Sequence, residues 1–97
     1  MEKIGLIAGN RKFPVIFSQA ARKRNYYIVA VAIKGDTSSK LKRVVDKIYW
    51  IGLSEFHRMF EIFKAEVITR IAMAGQIKHR RLFRKEIGNA QDLRNLL

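Results

Sequence analysis

Residues 26–33, Tyr-Tyr-Ile-Val-Ala-Val-Ala-Ile, form an almost unbroken apolar and β-branched run. A strand with one wet face alternates apolar with polar residues. A continuous run of this length is what a strand carries when both faces of a parallel sheet are covered. That stretch calls for layers on both sides of it, and so for an α/β fold.

The flanking segments supply such layers. Lys3 to Ala8 reads as a buried strand. From Pro14 to Arg24 the apolar residues Phe13, Ile16, Phe17, Ala20 and Ala21 recur at helical spacing. Pro14 suits the first helical turn, and Arg22, Lys23 and Arg24 suit the negative end of the dipole. Gly35-Asp36-Thr37-Ser38 is a turn, followed by a short helical piece from Lys40 to Val45 and a third strand from Lys47 to Ile51. Ser54 is the expected N-cap of a second helix, on which Phe56, Met59, Phe60, Phe63 and Val67 share one face. A fourth strand is expected at about Val67 to Met73, running into Ala74-Gly75. The basic tail from Gln76 turns to helix around Ala90 to Leu97, where Leu93, Leu96 and Leu97 begin an apolar face.

The order β-α-β-(α)-β-α-β predicts a Rossmann-like, doubly wound parallel sheet of about four strands. Right-handed crossovers make 3-2-1-4 the expected strand order. The order reverses between strands 1 and 4, so the loops after Ala8 and after Ala74 should flank one crevice, the place where such sheets bind ligands.

Residues 1–97 read as one small domain with a single core, 48% hydrophobic with ten aromatics. Without cysteine there is no disulfide framework, no thiolate metal site and no catalytic Cys, which fits a reducing cytosol. No apolar stretch approaches the roughly 20 residues that cross a bilayer. The expectation is a soluble cytoplasmic protein, or one peripheral to a membrane. The formal net charge of +12 attracts nucleic acid, anionic lipid and phosphorylated ligands alike, and by itself does not choose among them.

Two glycine-marked basic turns stand out. In Gly9-Asn10-Arg11-Lys12, before Phe13-Pro14, a glycine permits close backbone approach. The helix N-terminus offers N–H groups, and Arg11 offers a bidentate partner for phosphate. The segment is neither the dinucleotide fingerprint G-x-G-x-x-G nor a Walker A loop; alone, it either cradles a phosphate or only turns the chain. Gly75-Gln76-Ile77-Lys78-His79-Arg80-Arg81 is a candidate phosphate clamp, or else a solvated basic loop. Position favours function, since both turns fall at the same predicted crevice. Asp36 could hold a ribose hydroxyl, but a simple turn accounts for it better. His57 lies on the polar side of the second helix with no ligand partner at metal spacing. The eight carboxylates include no adjacent or i, i+2 pair, whereas a magnesium-dependent phosphoryl enzyme gathers acids around its metal.

The stretches IGLIAGNRKFPVIFSQAARKRNYYIVAVAIKGDT, IYWIGLSEFHRMFEIFKAE and RIAMAGQIKHRRLF together resemble the N-terminal part of the UDP-2,3-diacylglucosamine pyrophosphatases of the lipid A pathway. The type resembled is the two-domain one outside the calcineurin-like phosphoesterases. The resemblance covers about residues 3–84. It rests on I-A-G-N-x-x-F-P combined with M-A-G-Q-I-K, which matches Gly9, Asn10, Phe13 and Pro14 to the first motif and Gly75, Gln76 and Lys78 to the second.

The resemblance implies a bacterial hydrolase that uses magnesium or manganese to cleave UDP-2,3-diacylglucosamine into UMP and lipid X. Its substrate lies between a Rossmann-like half and a second domain carrying the essential acid. On that basis these residues are a truncated member with the C-terminal domain missing, inactive alone, binding substrate through Gly9, Asn10, Arg11, Lys12, Phe13, Gly75, Gln76 and Lys78. No cofactor is expected in this chain, since the divalent metal would need the missing domain. Arg11 stands where many members have glycine. Ser54-Glu55-Phe56-His57-Arg58 stands where the family often has Gly-Gln-Leu-Gly-Lys. Association with the inner-membrane surface and a homo-oligomer are further expectations. The alternative is a basic module for nucleic acid or an anionic membrane surface, of which nucleic acid is the less favoured.

Overall fold

The computed structural model of the chain describes residues 1–76. Four strands, β1 (Lys3–Ala8), β2 (Tyr27–Ile33), β3 (Lys47–Ile51) and β4 (Ile71–Ala74), form one parallel sheet in the order β3-β2-β1-β4. Helix α1 (Phe13–Lys23) connects β1 to β2, a 3-10 turn (Ser39–Arg43) precedes β3, and α2 (Arg58–Ala65) precedes β4. The expected strand order is the observed one.

The apolar run that demanded two covered faces has them. Val29, Val31 and Ile33 pack with Phe56, Met59 and Phe63 on the α2 side. Ile28 and Ala30 pack with Ala21, Leu41 and Val45 on the other. β1 divides the same way, Ile7 to the α2 side and Leu6 and Ala8 to the α1 side.

Four expectations are corrected. The inner face of α1 is Pro14, Ser18 and Ala21, with Phe17 half-buried, while Phe13 and Ile16 face outward. The sheet beneath is lined by small side chains such as Ala8 and Ala30. Ser18 can therefore come close, its hydroxyl satisfied by donating to the Pro14 carbonyl at 2.7 Å. Ser54 does not cap α2. It lies in a 3-10 turn, Leu53–Glu55, closed by Glu55 accepting from the Gly52 N–H at 2.8 Å, and α2 begins after His57 without a side-chain cap. Val67 is not on the buried face of α2, and β4 does not start there. Val67 has φ +58 and terminates the helix, so pairing begins only at Ile71. The segment after Ser38 is a 3-10 turn ending at Arg43 rather than a helix reaching Val45. The expected helix near Ala90 to Leu97 lies outside the described residues, as do Leu93, Leu96 and Leu97.

No helix among the described residues is long and apolar enough to cross a membrane.

Candidate functional site

β1 and β4 are neighbours, so the turns that leave them meet. The Gly9 N–H donates to the Ala74 carbonyl at 2.8 Å, and the Asn10 N–H donates to the Gln76 carbonyl at 2.7 Å. Asn10 and Gln76 thus form an antiparallel bridge beyond the ends of the strands. The two glycine-marked turns singled out in the sequence are joined backbone to backbone at the point where the strand order reverses.

That contact explains both glycines. A Cβ on Gly9 would stand 2.4 Å from the Gln76 carbonyl oxygen; one on Gly75 would stand 2.5 Å from that of Asn10. Gly75 also has φ +89, which an L side chain rarely adopts. The close approach that Gly9 permits is to the Gln76 backbone, so the groups left facing outward for a ligand are side chains and the start of α1.

Those groups are basic and apolar together. Arg11, at φ +68, and Lys12 are exposed, and with Phe13 and Ile16 they line a surface cavity of about 560 Å³. Lys12 occupies the N-cap of α1 without a side-chain capping bond. Its carbonyl accepts from the Ile16 N–H at 3.0 Å. The first turn of a helix leaves N–H groups free, but Pro14 contributes none, so this end holds fewer amide donors than a glycine-rich loop. Any anion held here would lean on the Arg11 guanidinium and Lys12 ammonium. The Asn10 side-chain oxygen is buried and has no hydrogen-bond partner among the described residues, a condition that buried polar atoms rarely tolerate. Lys78, the remaining member of the second motif, lies outside the described residues.

One residue that sequence reasoning passed over supports the junction. Thr37 is buried; its hydroxyl accepts from the Ile33 N–H at 2.8 Å and donates to the Ala8 carbonyl at 2.7 Å. It ties the loop after β2 to the last residue of β1, immediately before Gly9. The signal available was a polar Asp-Thr-Ser cluster directly after a fully apolar strand. The neighbouring Asp36 sits in the turn itself, where its N–H and that of Thr37 both donate to the Ile33 carbonyl.

Two acids among the described residues are engaged elsewhere. Glu66 accepts from Tyr49 and Lys47 at the end of the sheet opposite the glycine turns. The Tyr49 hydroxyl first, then Lys47, holds it below the usual carboxylate range. The Gly52 N–H, then Arg58, does the same for Glu55. Among the described residues no three His, Cys, Asp or Glu side chains gather where they could hold a metal ion. The donor set present there does not fit the divalent metal that the resemblance implies.

No curated protein and no solved structure matches the chain. The family model described as the LpxI N-terminal domain matches residues 3–96. That span contains the whole sheet and both turns of the β1–β4 junction, and the chain belongs to the LpxI N-terminal domain family.

Proposed function

We propose that this chain is the substrate-binding N-terminal domain of a UDP-2,3-diacylglucosamine pyrophosphatase of lipid A biosynthesis, of the two-domain type unrelated to calcineurin-like phosphoesterases. The observation that carries the reading is the junction of Gly9-Asn10 with Gly75-Gln76 at the switch point of the sheet, with Arg11 and Lys12 exposed beside it. Open α/β sheets bind ligands at that place, and two adjacent cations suit a pyrophosphate. Asn10, Phe13 and Lys78 complete the binding set, while Gly9, Gly75 and Gln76 serve it by holding the two turns together.

Hydrolysis of UDP-2,3-diacylglucosamine to UMP and lipid X belongs, in this reading, to a further domain that supplies the acids for magnesium or manganese. The described residues of this chain bind and orient, and the chain alone is inactive. Its setting is the bacterial cytoplasm beside the inner membrane, where a diacylated substrate resides.

The test is a titration of the purified chain with UDP-2,3-diacylglucosamine, followed calorimetrically, together with a search for released UMP in magnesium and manganese. Binding is expected, without turnover. The double substitution Arg11→Ala, Lys12→Ala is expected to weaken binding at least tenfold with the fold intact. Binding unchanged by that double substitution overturns the site, and turnover by the chain alone overturns the division of labour.

A further inference from the structure

Helix α1 presents more apolar surface outward than its packing requires. Phe13 is 67% exposed and Ile16 53%; they are one turn apart on the outer side, while Pro14, Ser18 and Ala21 fill the inner side. Arg11 and Lys12 precede this pair and Lys23 follows it in the last turn, with no carboxylate anywhere in the helix. The 3-10 turn Ser39–Arg43 lies on the same side of the sheet, since its Leu41 shares a core cluster with Ala21. It exposes Lys40, Lys42 and Arg43 and also carries no acid.

We propose that this face, the outer side of α1 with the adjoining 3-10 turn, docks on an anionic lipid bilayer. Phe13 and Ile16 enter the boundary between headgroups and acyl chains, and the surrounding cations meet lipid phosphates. An exposed aromatic and aliphatic pair within a mainly basic rim, in which Asp46 pairs with Arg22 of the helix at 3.9 Å, is the composition of a helix lying in the interface plane. Each Lys or Arg near such a surface adds attraction that salt screens. A nucleic acid or an acidic protein could use the cations, but an exposed Ile16 has nothing to offer a phosphodiester backbone. The face shares Arg11, Lys12 and Phe13 with the proposed substrate site and extends past it through Ile16 and the 3-10 turn's Lys40, Lys42 and Arg43, so the test substitutes residues of the turn, which the substrate reading does not use.

The absence of cysteine makes the orientation testable. An Ile16→Cys variant carries an environment-sensitive fluorophore on the proposed face. A Glu61→Cys variant carries it on exposed α2, across the sheet. With vesicles of phosphatidylcholine and phosphatidylglycerol in a two-to-one ratio, the label at 16 should shift to the blue and the label at 61 should not. Phosphatidylcholine vesicles should shift neither, and added salt should reverse the effect. In vesicle sedimentation the double substitution Lys42→Ala, Arg43→Ala should weaken binding about tenfold, with folding verified by circular dichroism and the affinity for UDP-2,3-diacylglucosamine unchanged. Shifts at both labels or at neither, equal binding to uncharged vesicles, or undiminished binding by the double variant overturns the proposal. Tight binding of polyuridylate with no vesicle binding overturns it in favour of nucleic acid.

Discussion

Two helices of this chain end in the same backbone motif with very different residues at its left-handed position. After α1, the Tyr26 N–H donates to the Ala21 carbonyl and the Asn25 N–H to that of Arg22, with Asn25 at φ +65. After α2, the Ile68 N–H donates to Phe63 and the Val67 N–H to Lys64, with Val67 at φ +58. Both are Schellman closures. Asparagine tolerates that conformation, whereas a β-branched residue is strained in it. Val67 is also 76% exposed, so removing its side chain forfeits little packing. Val67→Gly is therefore expected to stabilise the chain by about 0.5–1 kcal/mol, the relieved strain exceeding the added freedom of the unfolded chain. Thermal unfolding against Asn25→Val, expected to destabilise by a similar amount, checks it. Gly75→Ala should cost roughly 2–4 kcal/mol, since it combines a forbidden φ with a clash against the Asn10 carbonyl. Arg11, at φ +68, is the informative contrast. Arg11→Gly should leave stability level or slightly raised while weakening phosphate binding, separating side-chain charge from backbone shape in one variant.

Between elements, a single carboxylate fastens the end of α2 to the sheet. Glu66, with only 11% of its side chain exposed, pairs with Lys47 of β3 at 3.0 Å and accepts from the Tyr49 hydroxyl. Lys3 of β1 stands 4.0 Å away. The folded-state pKa of Glu66 lies below its ordinary value of 4.5. Its contribution to stability is therefore complete above that pH and lost as pH falls through the depressed value. Hydrogen bonding to Glu66 raises Tyr49 above 10.0 and Lys47 above 10.5, so the partners' contribution fades only as the solution becomes more alkaline than those values. Glu66→Gln is expected to cost about 1–3 kcal/mol at neutral pH and to flatten the acid limb of the melting-temperature curve. The elements themselves were legible where packing follows hydropathy: β1 and β3 have the expected bounds, and α2 buries Met59 and Phe63, with Phe56 buried just before it. Sequence reasoning failed where a local hydrogen bond outweighs hydropathy. Ser18 lies inside while Phe13 lies outside, the Ser18 hydroxyl being satisfied within the helix by the Pro14 carbonyl so that its burial leaves no polar group unpaired.

At the scale of the whole molecule, topology made half of the candidate site legible. Strand order follows from crossover handedness, and strand order alone sets the loops after Ala8 and Ala74 side by side. Which groups the glycines touch could not be read, because a glycine packed against backbone and one packed against phosphate look the same in sequence. The last prediction separates those two situations. A formal charge of +12 repels itself, and the exposed ion pairs, such as Arg70–Glu2 with both partners more than half exposed, offset little of that. Sodium chloride should therefore raise the melting temperature by screening, for the wild type and Arg11→Ala, Lys12→Ala alike. Pyrophosphate at matched ionic strength should raise it further in the wild type only. A ligand held by the native state adds RT ln(1 + [L]/Kd), which at a hundredfold excess over Kd is about 2.7 kcal/mol. An equal extra rise in the double variant would mean that pyrophosphate acts on the diffuse charge of the molecule. An extra rise confined to the wild type locates it at Arg11 and Lys12, where the Gly9 turn delivers the chain into α1.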